Sequence, residues 1–182
     1  GDLESLADIP FSQLESLNLS HSIKATPAGM NNFLENANLS DIESLNLSHC
    51  RIDEQTVELI IGRDFSQKLQ SLDLSSCQLS ETSIEMLASS SLDNLVHLNL
   101  AKNSLTKESI EKILDWPSLR SFRIRNHQEQ VGEINREELD ELKKLSFERE
   151  INLFGRPGVI RSTDESPVVS RRRPRESSPP NR

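Results

Sequence analysis

One segment of this chain recurs at nearly even spacing. It reads Leu14-Glu-Ser-Leu17-Asn-Leu19, then Ile42-Glu-Ser-Leu45-Asn-Leu47, Leu69-Gln-Ser-Leu72-Asp-Leu74 and Leu95-Val-His-Leu98-Asn-Leu100, with a weaker copy in Leu119-Arg-Ser-Phe122-Arg-Ile124. The copies begin at 14, 42, 69, 95 and 119, so the steps are 28, 27, 26 and 24 residues. A period of this length means one supersecondary unit per copy, each too small to bury its own apolar face. The closing Leu-x-Leu of each copy alternates with period two, which predicts a short strand with both leucines on one face. An apolar residue follows five positions later (Ile52, Leu79, Leu105), and then a helix N-cap residue (Asp53, Ser80, Thr106). Thr26 takes the capping role in the first copy, with Pro27 at the favoured first helical position. Apolar residues at helical spacing come next: Val57, Ile60 and Ile61; Ile84, Met86 and Leu87; Ile110, Ile113 and Leu114.

Stacking such units pairs the strands in parallel at about 4.8 Å while the helices sit about 10 Å apart, so the stack curves with its strands inside. The expected fold class is therefore an α/β solenoid: parallel strands on a concave face, helices on a convex one. The pattern resembles the leucine-rich repeat family (LxxLxLxx[N/C]xL), and specifically its long, helix-bearing, ribonuclease-inhibitor-like type. The ladder position of the motif holds Cys50, Cys77 and Asn103, and departs from it in Ser22 and His127. The resemblance covers roughly residues 3–155 and implies a horseshoe-shaped array with a binding role.

The expected organisation is a repeat domain over residues 1–155, about five repeats plus end caps, and a disordered Pro/Ser/Arg-rich tail over 156–182. Leu3 and Leu6 match the phase of a repeat's helix half, so the chain starts either inside a repeat or with a cap helix. Asn126–Gly132 reads as an inserted loop. A capping box at Asn135 and Glu138 opens a last helix to about Leu145, and Glu150–Phe154 reads as a last strand. The tail carries seven Arg against three acidic residues, a net +4, which leaves −12 of the overall −8 on residues 1–155. An acidic body repels phosphates, so nucleic acid is excluded as its main ligand. No apolar run reaches the ~18 residues of a membrane span. The two cysteines cannot form a disulfide framework, which favours a cytoplasmic setting; three Asn-x-Ser sequons (Asn18, Asn38, Asn46) on or near the strands point weakly the same way, since glycans would block the inner face. Arg171–Arg175 has the composition of a nuclear-import or anionic-surface signal, and Ser166-Pro167 and Ser178-Pro179 of phosphate acceptors.

No phosphate loop, zinc-protease motif, paired CxxC or fixed triad order is present, so neither catalysis nor a cofactor is expected. Cys50 and Cys77 share a phase and read as small buried ladder side chains, rather than a disulfide or metal pair. His21 and His49 also share a phase, but two ligands from a turn make a poor metal site. Trp116 reads as a plug at the core edge. The residues between the leucines face the concave side. They are small and polar in the first three copies, and change to His97 and Asn99 and then to Arg123 and Arg125, with Glu150, Asn152 and Phe154 beyond. Asp73, His97, Asn99, Arg123 and Arg125 are the candidate partner-binding residues, because Arg and His on an otherwise acidic body are candidate anchors. The expected activity is a non-catalytic, monomeric interaction module for a protein partner. Two alternatives are the targeting part of a larger system, such as a ubiquitin-ligase receptor or a bacterial effector, and self-association through a terminal repeat.

Overall fold

A computed structural model describes residues 14–22, 25–125 and 134–154. The helix phase of Leu3 and Leu6, the Asn126–Gly132 loop, His127 and the whole 156–182 tail, with Ser166, Ser178 and Arg171–Arg175, lie outside the described residues. The strands are β1 (Ser16–Asn18), β2 (Ser44–Asn46), β3 (Ser71–Asp73), β4 (His97–Asn99) and β5 (Ser121–Arg123). They alternate with helices α1 (Pro27–Asn36), α2 (Glu54–Gly62), α3 (Glu81–Ala88), α4 (Lys107–Leu114) and α5 (Arg136–Glu148). The strands form one parallel sheet in the order β1-β2-β3-β4-β5, and each helix packs on the next along one side.

The register follows the repeat residue for residue: Leu17 lies beside Leu45, Leu45 beside Leu72, Leu72 beside Leu98 and Leu98 beside Phe122. Each strand is centred one residue earlier than the Leu-x-Leu reading. The second leucine nevertheless stays in the ladder, because Leu47 N–H donates to Asp73 O at 2.9 Å and Leu100 N–H to Arg123 O at 2.8 Å. Leu45, Leu47, Leu72, Leu74, Leu98, Leu100, Phe122 and Ile124 are buried with Val57, Ile60, Ile84, Leu87, Ile110 and Ile113 from the helices in one core. Leu14, Leu17 and Leu19 are only partly buried, since β1 has a sheet neighbour on one side only among the described residues. Trp116 is buried at the return into β5, where its carbonyl accepts from Leu119 N–H as those of Leu39 and Leu92 do from Ile42 and Leu95. It fills the core edge, as its place before Pro117 suggested.

The helix starts are as the caps dictate. Thr26, Asp53, Ser80, Thr106 and Asn135 each accept a hydrogen bond from an amide of the first turn. Asn31 joins two of these units: its amide donates to Asp53 Oδ1 at 3.1 Å, and its Oδ1 accepts from the buried Thr56 hydroxyl at 2.5 Å. Burial would raise the Asp53 carboxyl, but the bonds from the Thr56 amide, Asn31 and the Thr56 hydroxyl hold it below its ordinary value. At the far end α5 runs three residues past Leu145, and Glu150 turns left-handed at φ 57°. The expected strand over Glu150–Phe154 is consequently reduced to a single bridge, Asn152 beside Ser121.

The ladder position has a common task. Cys50 Sγ–H donates to Leu19 O at 3.1 Å, Cys77 Sγ–H to Leu47 O at 3.1 Å, and Asn103 Nδ2 to Leu74 O at 2.8 Å. Each side chain reaches back one repeat and satisfies a strand carbonyl, so both thiols are free and buried as small ladder groups. Burial pushes the Cys77 thiol up to about 12 and the Cys50 thiol up as well.

A proton held more tightly in the folded state stabilises it below the unfolded thiol pKa, and that stability is lost as pH rises from about 9 towards 12. Urea midpoints should therefore fall across this window in the wild type and fall less in Cys77→Ser. Asn31→Ala removes the bonds that link Asp53 and Thr56 to α1 while leaving those between Asp53 and Thr56, and should lower unfolding free energy by about 0.5–1.5 kcal/mol in urea titrations at unchanged m-value.

Candidate functional site

The sheet face turned away from the helices is built of parallel rows, because the register aligns equivalent positions of successive repeats. One row runs Ser16, Ser44, Ser71, His97, Ser121, with Asn152 beside the last. The next runs Asn18, Asn46, Asp73, Asn99, Arg123. Two residues further on in each repeat come Ser20, Ser48, Ser75, Ala101 and Arg125.

The second row is mainly occupied with the fold. Asn18 Oδ1 accepts from Ser20 N–H, Asn46 Oδ1 from Ser48 N–H and Asp73 Oδ1 from Ser75 N–H, each at 2.9 Å, and Asn99 Oδ1 from Ala101 N–H at 3.2 Å. These turns cap the exit of each strand, where an Asn or Asp side chain stands in for a backbone acceptor. Asp73 also accepts from the Ser75 hydroxyl at 2.6 Å, and its second oxygen accepts from Asn99 Nδ2 at 2.9 Å. Of the five candidate residues, Asp73 and Asn99 are therefore bound to the backbone and to each other. Arg123 breaks the row, because an arginine cannot accept the turn bond.

Asp73, His97, Asn99 and Arg123 come together. With Ser71 and Ser121 they line a shallow, open depression of about 100 Å³ over β3–β5. Arg125 stands one row on, its guanidinium carbon 4.5 Å from the centre of the Phe154 ring. This cation–π contact restrains a long side chain at the strand exit. Sequence reasoning placed Phe154 on this face but missed its pairing with Arg125. It also missed Arg120, the fifth member of the row Glu15, Glu43, Gln70, Val96, whose members are joined by N–H···O bonds of 2.8–2.9 Å. That signal was legible: every polar row of the fifth copy except the serine row ends in arginine.

His21 and His49 stack face to face, with ring centroids 4.2 Å apart and planes 11° off parallel. Both sit at φ 60°, as Ser76 and Lys102 do at 57° and 62°, because each of the first four repeats leaves its strand through the same left-handed turn. Among the described residues, no three His, Cys, Asp or Glu side chains converge on a metal position, and no helix is long and apolar enough to cross a membrane. Phe147, on α5, is the one large hydrophobic side chain among the described residues that is strongly exposed, at 84%.

A model of the Leucine Rich Repeat family matches residues 68–90, which hold β3 and α3. No curated protein matches the chain. With five in-register parallel strands and alternating helices, the fold is an α/β leucine-rich-repeat solenoid. Such repeats generally mediate protein–protein interaction, and their stacked sheets supply extended concave surfaces.

Two groups of substitutions should separate here. Asn99→Ala leaves the Ala101 N–H and an Asp73 oxygen without their partner and should cost about 0.5–1.5 kcal/mol. Arg125→Gln and His97→Ala should stay within about 0.5 kcal/mol of wild type in the same thermal or urea unfolding series.

Proposed function

We propose that this chain is a non-catalytic, monomeric protein-interaction module of the helix-bearing, ribonuclease-inhibitor-like type, and that it holds its partner on the C-terminal part of the concave face. One observation carries the reading: four of the five candidate residues line one depression, on a sheet whose register leaves the backbone little freedom. A preformed surface avoids much of the ordering cost of association. The uniform Ser/Asn surface of β1 and β2 serves to solvate the sheet. The change of side chains from β4 onward marks where contact begins. Helices α2 and α4, of nine and eight residues, support the helix-bearing subtype.

A steric test needs no knowledge of the partner's chemistry. Cys50 and Cys77 are buried, so a cysteine introduced at Ser71 can be labelled selectively with a bulky maleimide. The labelled Ser71→Cys protein should capture its main partner from lysate at least tenfold less well than the unlabelled one. The same label on Glu58→Cys, exposed on α2, should leave capture unchanged. Undiminished capture by the protein labelled at position 71 rejects the concave reading.

A further inference from the structure

We infer that the flank of α5 turned away from α4 is a docking surface for the chain's own residues 159–169, whose two apolar pairs cover Leu139 and Phe147. The inference goes beyond the concave reading and does not depend on it.

The helix face is the first support. Glu141 pairs with Lys107 and Arg149 with Asp115, so the stripe Glu141, Leu145, Arg149 faces α4. Leu139, Lys143 and Phe147 form the stripe on the other flank, because two residues turn a helix through about 200°. Helices α2, α3 and α4 each lie between two others, whereas α5 packs on α4 alone among the described helices. The consequence shows at one position. The residue four places after the helix cap is buried in those three units (Val57, Ile84, Ile110), but its counterpart Leu139 is only partly buried. Two turns further on, Phe147 stands almost wholly in water. Covering both would remove apolar surface from solvent, as the next helix does for the units before.

The occupant follows from the sequence beyond Phe154. Besides proline, residues 155–182 carry four apolar side chains, in the pairs Val159-Ile160 and Val168-Val169, with Asp164-Glu165 between them. This apolar–acidic–apolar order matches Leu139, Lys143 and Phe147, and Arg136 adds a second cation on that flank against Asp140. Lys143 already pairs with Asp140 at 2.6 Å on the exposed surface, so charge sets the direction of the segment and apolar contact holds it. Phe154 lies against Arg125 at the strand-exit edge, from which the helices start, so the chain leaves beside the first turn of α5. Val159 is then within about 17 Å of Phe154 along the chain. Leu139 and Phe147 are about 12 Å apart along the helix, less than the eight residues from Ile160 to Val168 can span. A tether this short keeps the segment at an effective concentration of order mM.

The segment does not build another repeat. Asn152 beside Ser121 fixes the register, and five residues on stands Pro157, at the place of His21, His49, Ser76 and Lys102. Those four take φ near 60°, which the proline ring forbids. The strand-exit turn of the earlier units is thereby closed to the chain, which leaves it to cross α5 instead.

Hydrogen exchange read by mass spectrometry on the full chain tests this. After correction for intrinsic rates, peptides covering 158–169 should exchange about tenfold more slowly than those covering 171–182. Phe147→Ser and Ile160→Asp should each bring the two regions to within about twofold of one another. Phe147→Leu should keep most of the protection, and Glu58→Gln on α2 all of it. Phe147→Cys, with both native thiols buried, should react with a maleimide about fivefold more slowly alone than together with Ile160→Asp. Circular dichroism melts identify any variant that loses its fold. Equal exchange of 158–169 and 171–182 in the wild type, or protection that survives both Phe147→Ser and Ile160→Asp, overturns the proposal. So does protection lost on dilution together with a dimer-to-monomer shift in sedimentation velocity, which assigns the face to a second copy.

Discussion

Everything in this molecule depends on the stacking of Leu17, Leu45, Leu72, Leu98 and Phe122 in one column of a parallel sheet. A three-residue strand makes too few hydrogen bonds to persist alone, and a helix of eight to ten residues is marginal in water. Placed side by side, each strand has its ladder completed and each helix its apolar stripe covered by the next unit. Stability is then a sum over neighbours, and the outermost units are the least covered. Among the described residues, Leu14, Leu17 and Leu19 of the first unit are partly buried, whereas Leu45 and Leu47 of the second are fully buried.

The stacking also sets which side chains serve the backbone of the turns. Three positions per repeat satisfy the backbone of the turns: the ladder residue (Cys50, Cys77, Asn103), the strand-exit residue (Asn18, Asn46, Asp73, Asn99) and the helix cap (Asp53, Ser80, Thr106). Ion pairs such as Lys68–Asp41, Lys107–Glu141, Lys112–Glu85 and Arg149–Asp115 link successive units across the exposed surface. Exposed pairs of this kind are worth at most about 1 kcal/mol each, so they tune the stack rather than hold it. The surface proposed for recognition lies where the sheet-face side chains do not cap these turns, around His97, Ser121, Arg123 and Arg125.

This separation explains why some of the candidate site could be read in advance and some could not. His97, Arg123 and Arg125 stood out because each departs from its own row, and rows follow from counting along a period. Asp73 and Asn99 were chosen by the same logic of position, but their oxygens cap strand exits, a role visible only when the turn geometry is known. The contact between Arg125 and Phe154 joins residues 29 apart, across a segment whose length follows no repeat. Its register could not be counted.

The period and the apolar spacing, by themselves, determined the parallel order of strands, the side on which the helices lie, every helix cap and the burial of both cysteines. These follow from short-range rules: 3.6 residues per helical turn, two per strand pleat, and one capping oxygen per helix start. Tertiary structure alone decided the conformation of the last described segment. Helix α5 overran its expected end, Glu150 took a left-handed turn, and the last strand shrank to one bridge at Asn152. This segment lies outside the period, so its conformation is set by packing between parts remote in sequence, which a pattern of spacing does not encode.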